Sequence, residues 1–182
     1  MFDIFKPKAN KFTSFKEVFK AIADKYSGRV NCGEEGKYEQ LTLECTFEGY
    51  KFELRFGNLA MNNQVSFFGF IITCQIKDTV EMAVYKKFYK PLTNMGKVCL
   101  QSGSKDFDGK TYILTDGSNT AKSLIERPSF QEAVAKMHTK CNLFFIRNQQ
   151  IMFFELLDKA KLESGEIESI MFLISKLAGV IS

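Results

Sequence analysis

Residues 41–56 carry the pattern that most constrains this chain. Leu41, Leu43, Cys45 and Phe47 alternate with Thr42, Glu44 and Thr46. After Glu48-Gly49, Tyr50, Phe52, Leu54 and Phe56 alternate with Lys51, Glu53 and Arg55. A period of two belongs to a β-strand, whose successive side chains point to opposite faces. Two such runs around a two-residue turn predict an antiparallel hairpin over Lys37–Phe56, with one face buried and one solvated. The apolar face needs a cover, and the segment before it offers one. Ser14 and Glu17 form a capping-box pattern. Phe15, Val18, Phe19, Ile22 and Tyr26 then make one stripe at helical spacing, and Gly28 suits a left-handed stop.

The same two periods run through the rest of the chain. Gly57–Gln64 reads as a polar, mobile loop, and Val65–Ile76 as a third strand with a bulge or close approach at Gly69. Residues 78–90 satisfy both periods. Val80, Val84, Tyr85 and Phe88 fit a helix capped by Asp78, whereas Val80, Met82 and Val84 fit a strand; helix is the preferred reading. Val98–Leu100 and Thr111–Thr115 read as short strands. Asp116 is placed to cap a helix carrying Ala121, Leu124 and Ile125, which Pro128 interrupts. Ser129 and Glu132 match a second capping box, followed by the apolar face Phe130, Ala133, Val134 and Met137. Leu143–Ile146 and Ile151–Phe154 flank Asn148–Gln150, which predicts a closing hairpin covered on both faces. Ser164 opens a last helix with the stripe Ile167, Ile170, Met171, Ile174, Leu177 and Ala178. Phe172 and Leu173 widen its apolar surface, and Gly179 can stop it. The expected fold class is α+β, a mainly antiparallel β-sheet with amphipathic helices packed against it. The 182 residues are expected to form a single domain, with residues 1–12 as a loose arm.

Phe107, Tyr112-Ile113-Leu114-Thr115-Asp116, Ala121, Leu124, Pro128 and Phe130 together resemble an uncharacterised bacterial family of domains of unknown function. In that family an aromatic strand ending in Thr/Ser-Asp precedes an Ala-x-x-Leu helix, a Pro-x-Phe helix and a closing hairpin. The resemblance covers roughly residues 103–157. It implies the same order of elements and no activity. Members of the family often carry transmembrane helices upstream; no run in this sequence is expected to be one.

A chain of this size buries roughly 70% of its unfolded surface and needs no disulfide or metal for stability. The 19 phenylalanines, beside no tryptophan, are expected mostly in the core. Cys32, Cys45, Cys74, Cys99 and Cys141 are odd in number and lack metal-ligand spacing, so reduced thiols in a cytoplasmic protein are expected. The amino terminus lacks the long apolar run of a secretory signal. A net charge of +4 with pI near 8.7 permits an anionic partner but falls short of the basic stripe of a dedicated nucleic-acid binder.

Candidate chemistry is sparse. His138 precedes Cys141 by three residues, the spacing at which a thiolate–imidazole pair would have to form, with Cys141 activated and partly exposed. No third residue orients the pair, and a helix-end histidine beside an ordinary thiol is the preferred reading. Asp106-Phe107-Asp108-Gly109 and Asp116-Gly117-Ser118-Asn119 lack the alternating ligands and closing Glu of a calcium loop, and turn chemistry explains both. No phosphate-cradling glycine loop occurs, and neither a cofactor nor a metal is indicated. Tyr85, Lys86, Lys87, Phe88, Tyr89 and Lys90 interleave aromatics with lysines. Such a run serves an anionic membrane surface or nucleic acid, with Lys6, Lys8, Lys11 and Lys16 as helpers; the plainer reading is an amphipathic helix with its rings in the core.

The sequence therefore points away from an enzyme, without settling it, and towards an interaction or scaffold module that binds a protein partner or self-associates through Phe172 and Leu173. A domain binding an apolar small molecule or lipid is the alternative. A nucleic-acid or membrane-surface binder comes next, and a cysteine enzyme using Cys141 and His138 last.

Overall fold

The computed structural model describes residues 9–35, 38–61, 65–89, 91, 96–156 and 163–182. The elements run α1 (Ala9–Tyr26), β1 (Arg29–Glu35), β2 (Tyr38–Phe47), β3 (Tyr50–Met61), β4 (Val65–Gln75), β5 (Met82–Lys86), a 3-10 turn (Lys87–Tyr89) and β6 (Val98–Leu100). Then follow α2 (Lys105–Lys110), β7 (Thr111–Thr115), α3 (Asn119–Glu126), α4 (Pro128–Met137), β8 (Leu143–Arg147), β9 (Gln150–Leu156) and α5 (Ser164–Ile181). The strands form one sheet in the order β1-β2-β3-β4-β9-β8-β5-β7-β6. This is the α+β, mainly antiparallel architecture that the alternating runs predict. Two compact units divide the chain: the described residues up to Ile72 with Phe154–Met171, and Thr73–Phe153 with Phe172–Ser182.

In the first unit the predicted hairpin forms in register, Leu41 opposite Phe56, Leu43 opposite Leu54 and Cys45 opposite Phe52. Glu48 and Gly49 have φ of 50° and 80°, the left-handed pair that a two-residue hairpin turn requires. Helix α1 supplies Phe15, Phe19 and Ile22 to the buried face. The Phe15 ring stacks on Phe56 at 3.9 Å, and Phe19 lies 6.1 Å from Phe70. Aromatic pairs of this kind add about 0.5–1.5 kcal/mol beyond the area they bury. The Glu168 carboxylate of α5 accepts from the Tyr26 hydroxyl at 2.8 Å and from the Lys25 ammonium, and the lysine bond holds that carboxyl below its ordinary range. On the solvated face Arg55 Nε lies 3.1 Å from Glu53 Oε1, an ion pair without hydrogen-bond alignment; half-exposed, it adds little.

In the second unit β5 sits between β7 and β8. Val84 lies opposite Ile113 on one side and Phe144 on the other, and Met82 opposite Thr115 and Ile146. All of these are buried. Helix α4 presents Phe130, Ala133, Val134 and Met137 to the interior, as its stripe predicts.

Several local expectations are corrected. Residues 82–86 form a strand and not a helix, because neighbours on both edges satisfy its backbone, an outcome that periodicity cannot foresee. Helix α1 begins at Ala9, ahead of the Ser14 pattern, and α5 runs through Gly179 to Ile181. Strand β1, too polar to read as a strand, forms by pairing with β2, and β3 extends to Met61 through part of the expected loop. Ser118, not Asp116, caps α3, accepting from the Ala121 amide. Helix α4 starts with Pro128 at its first position, so Ser129 lies inside it. Strands β8 and β9 alternate: Phe144, Ile146, Ile151 and Phe153 are buried, while Phe145, Met152 and Phe154 are half-buried, so the second face is only partly covered. The predicted arm falls on residues 1–8, which lie outside the described residues, and on the start of α1.

The left-handed residue after α1 is Ser27, with φ of 51°; Gly28 is needed for a different reason. Its amide donates to Ala23 O at 2.8 Å, and a Cβ there would lie 2.7 Å from Glu44 O and 2.9 Å from Cys45 Cβ. Gly28→Ala is therefore expected to lose about 1–3 kcal/mol in a urea titration. Gly33→Ala, where a Cβ meets nothing within 4 Å, is expected to stay within about 1 kcal/mol of the parent protein.

Candidate functional site

Strand β5 carries the candidate site to the end of its sheet. Pairing stops at Lys86 opposite Thr111 and at Tyr85 opposite Leu143, and the Lys86 amide closes the ladder on Asn142 O at 2.8 Å. The chain then tightens into the 3-10 turn Lys87–Tyr89, none of whose residues is buried. Phe88 is 99% exposed and Tyr89 57% exposed. Rings expected to face a core instead face water, because the segment is strand and turn and has no helical stripe to bury. Lys90 lies outside the described residues.

The turn is anchored. Lys87 Nζ donates to Asp108 O at 2.9 Å and lies 5.9 Å from the centre of the Tyr112 ring, which meets Tyr85 edge-on at 6.4 Å. Asp108 belongs to α2. Its carboxylate accepts from the Ser102 amide at 2.9 Å, the Ser102 hydroxyl at 3.0 Å and the Gly103 amide at 3.0 Å. Ser104 caps the same helix. Sequence reasoning missed this support, although Ser104 followed by Asp106 and Asp108 is a short capped-helix signal. Lys86 and Lys87 are half-buried. Register places Lys110, next to Thr111, and Lys140, close to Asn142, at the same end of the sheet.

Cys141 and His138 are both withdrawn from water, and the imidazole meets Cys141 through its main-chain carbonyl. The Cys141 thiol is buried and donates to Met137 O at 3.5 Å, a helix-end contact. His138 is 8% exposed; its Nδ1 lies 3.4 Å from Cys141 O, and its ring sits 6.0 Å from that of Phe144. Its buried Nε2 has no hydrogen-bond partner among the described residues. Burial holds this imidazole below its ordinary value of 6.5, with the Lys86 charge adding to the effect against the opposing Cys141 carbonyl.

The acidic turns are internally satisfied, Asp116 accepting from the Ser118 amide and the Thr115 hydroxyl at 3.0 Å each. Among the described residues no three His, Cys, Asp or Glu side chains cluster as metal ligands would. On α5 Phe172 is 44% exposed with Lys176 Nζ 4.7 Å from its ring centre, and Leu173 is half-buried. No helix among the described residues is long and apolar enough to cross a membrane.

No protein-family model and no curated protein matches the sequence. Among solved structures, the fold is similar to the crystal structure of the mycobacterial trehalose monomycolate transport factor A, TtfA. The TM-score is 0.66 with 7% sequence identity, over 96% of this chain and 96% of that one.

Two measurements test the site as described. In native protein at about pH 8 an alkylating reagent is expected to modify exposed Cys32 first and to spare Cys141. Cys45 and Cys74 should also resist, since burial raises their thiols to about 11 and about 12. Rapid labelling of native Cys141 would restore it as a nucleophile. For His138, the unfolded chain takes up a proton near 6.5 that the folded chain refuses until lower pH. Stability is thus expected to fall as pH drops from about 7.5 to about 5.5, and less so in His138→Gln, as read by denaturation midpoints.

Proposed function

Starting from that likeness over nearly the whole of both chains, we propose that this chain is a non-enzymatic module of lipid handling. It acts by contact with a lipid or a lipid-bearing partner and leaves it chemically unchanged. The carrying observation is the shared fold with a protein named for the transport of trehalose monomycolate. Cys141 and His138 are both buried, which supports the same reading, since neither offers an accessible nucleophile. A chain that moves or presents an amphiphile needs apolar contact surface more than acid–base groups.

A second reading, self-association, is favoured by one observation: Phe172, a large apolar side chain, keeps 44% of its surface in water on the exposed side of α5. In that reading Phe172 and the half-buried Leu173 meet a second copy. Sedimentation would then show a dimer that Phe172→Glu dissociates; a monomer at all concentrations removes this reading.

The lipid-handling proposal is tested by native mass spectrometry of gently purified protein, followed by incubation with a fluorescent acyl lipid. The expected outcome is a retained lipid mass and a bound probe recovered intact. Cleavage or modification of the probe, or failure to retain any lipid and to bind the probe, would sink it.

A further inference from the structure

We propose that the turn Lys87–Tyr89 is an interfacial anchor that docks this protein on an anionic lipid bilayer. This goes beyond the lipid-handling reading, because a module that never carries a lipid molecule can dock in the same way.

Two consecutive aromatic side chains stand in water on a turn with no buried residue, Phe88 at 99% and Tyr89 at 57%. A single exposed apolar residue needs no explanation. Here, however, the fully exposed ring stands next to a tyrosine, whose apolar body and polar tip suit the headgroup boundary. Around them the sheet register gathers Lys86, Lys87, Lys110 and Lys140. The two nearby acids of α2 are engaged, Asp106 with Lys110 at 2.6 Å and Asp108 with Ser102 and Gly103. Among the described residues, four lysines against two carboxylates leave this end of the sheet with net positive charge, the complement of an anionic leaflet.

The turn is also preorganised. Lys87 is held on the Asp108 carbonyl and beside Tyr112, so Phe88 is presented without a large ordering cost. The roles divide accordingly: Lys87 positions the turn, Phe88 and Tyr89 enter the boundary, and Lys86, Lys110 and Lys140 supply attraction. A nucleic-acid strand would ask for a track of stacking rings along a basic groove, and two adjacent residues on one turn do not make a track. A stable protein partner would need about 800 Å² on this side, far more than a three-residue turn offers. A bilayer needs only a protruding ring and nearby charge, and the docking so produced is weak and reversible.

The chain has no tryptophan, so Phe88→Trp places a single reporter at the tip. Its emission is expected to shift to the blue with vesicles of phosphatidylcholine plus phosphatidylglycerol, and to stay unshifted with phosphatidylcholine alone. Co-sedimentation of the full chain with the anionic vesicles should weaken with added salt. It should fall about tenfold or more in the double variant Phe88→Ser with Tyr89→Ser, and about fivefold for Lys86→Gln. Because Phe88 is wholly exposed, an unchanged melting temperature is expected to show that the double variant still folds. Equal vesicle binding by the double variant, or no blue shift with any vesicle, overturns the proposal. A shift produced by a single-stranded oligonucleotide and by no vesicle overturns it too, and assigns the tip to nucleic acid. Lipid retention in native mass spectrometry without vesicle binding overturns the docking alone and leaves lipid handling standing.

Discussion

Strand β5 has a hydrogen-bonded neighbour along each edge, β7 on one side and β8 on the other. Inside a protein an unpaired amide or carbonyl is costly, so four residues, Met82 to Tyr85, with partners on both sides are held far more firmly than the same residues in an isolated helix. That double pairing sets the register of Met82 and Val84 against Thr115, Ile113, Ile146 and Phe144. It also decides where the ladder ends. Past Lys86 the partners run out, the chain tightens into a turn, and the next two rings are left in water. The exposed tip is therefore a consequence of sheet topology and not of local preference.

Elsewhere the sheet depends on close approach between elements. Helix α1 brings phenylalanine rings to the buried face of the β2–β3 hairpin, and the link from α1 into β1 passes so near Glu44 and Cys45 that only a glycine fits at position 28. Replacing an interior phenylalanine such as Phe19 by alanine would remove transfer energy and leave a cavity, a combined cost of about 3–5 kcal/mol. Surface ion pairs such as Lys136–Glu132 contribute little by comparison.

Burial and chemistry pull in opposite directions here. Cys45, Cys74, Cys141 and His138 are withdrawn from water, and burial favours the neutral forms of Cys45, Cys74 and His138. What remains at the surface of β5 and its turn is aromatic rings and lysines, groups that make contacts. That division underlies the reading of a module acting by contact at lipid.

Much of this was legible in residue order. The period-two runs of Leu41–Phe47 and Tyr50–Phe56 determined the hairpin and its buried face, and the stripes of α1, α4 and α5 determined which helix faces go inside, because side-chain direction follows from local geometry alone. Residues 78–90 satisfied both periods, so nothing local separated helix from strand; pairing with β7 and β8, distant in sequence, made the choice. Strand β1 had too few apolar residues to declare itself and exists because β2 offers it an edge. Of the site, Lys86, Lys87, Phe88 and Tyr89 could be named from their composition. Their exposure, and the tie from Lys87 to Asp108, came only with the tertiary structure. Periodicity reports which way a side chain points, whereas the end of a hydrogen-bond ladder depends on partners supplied from elsewhere in the chain.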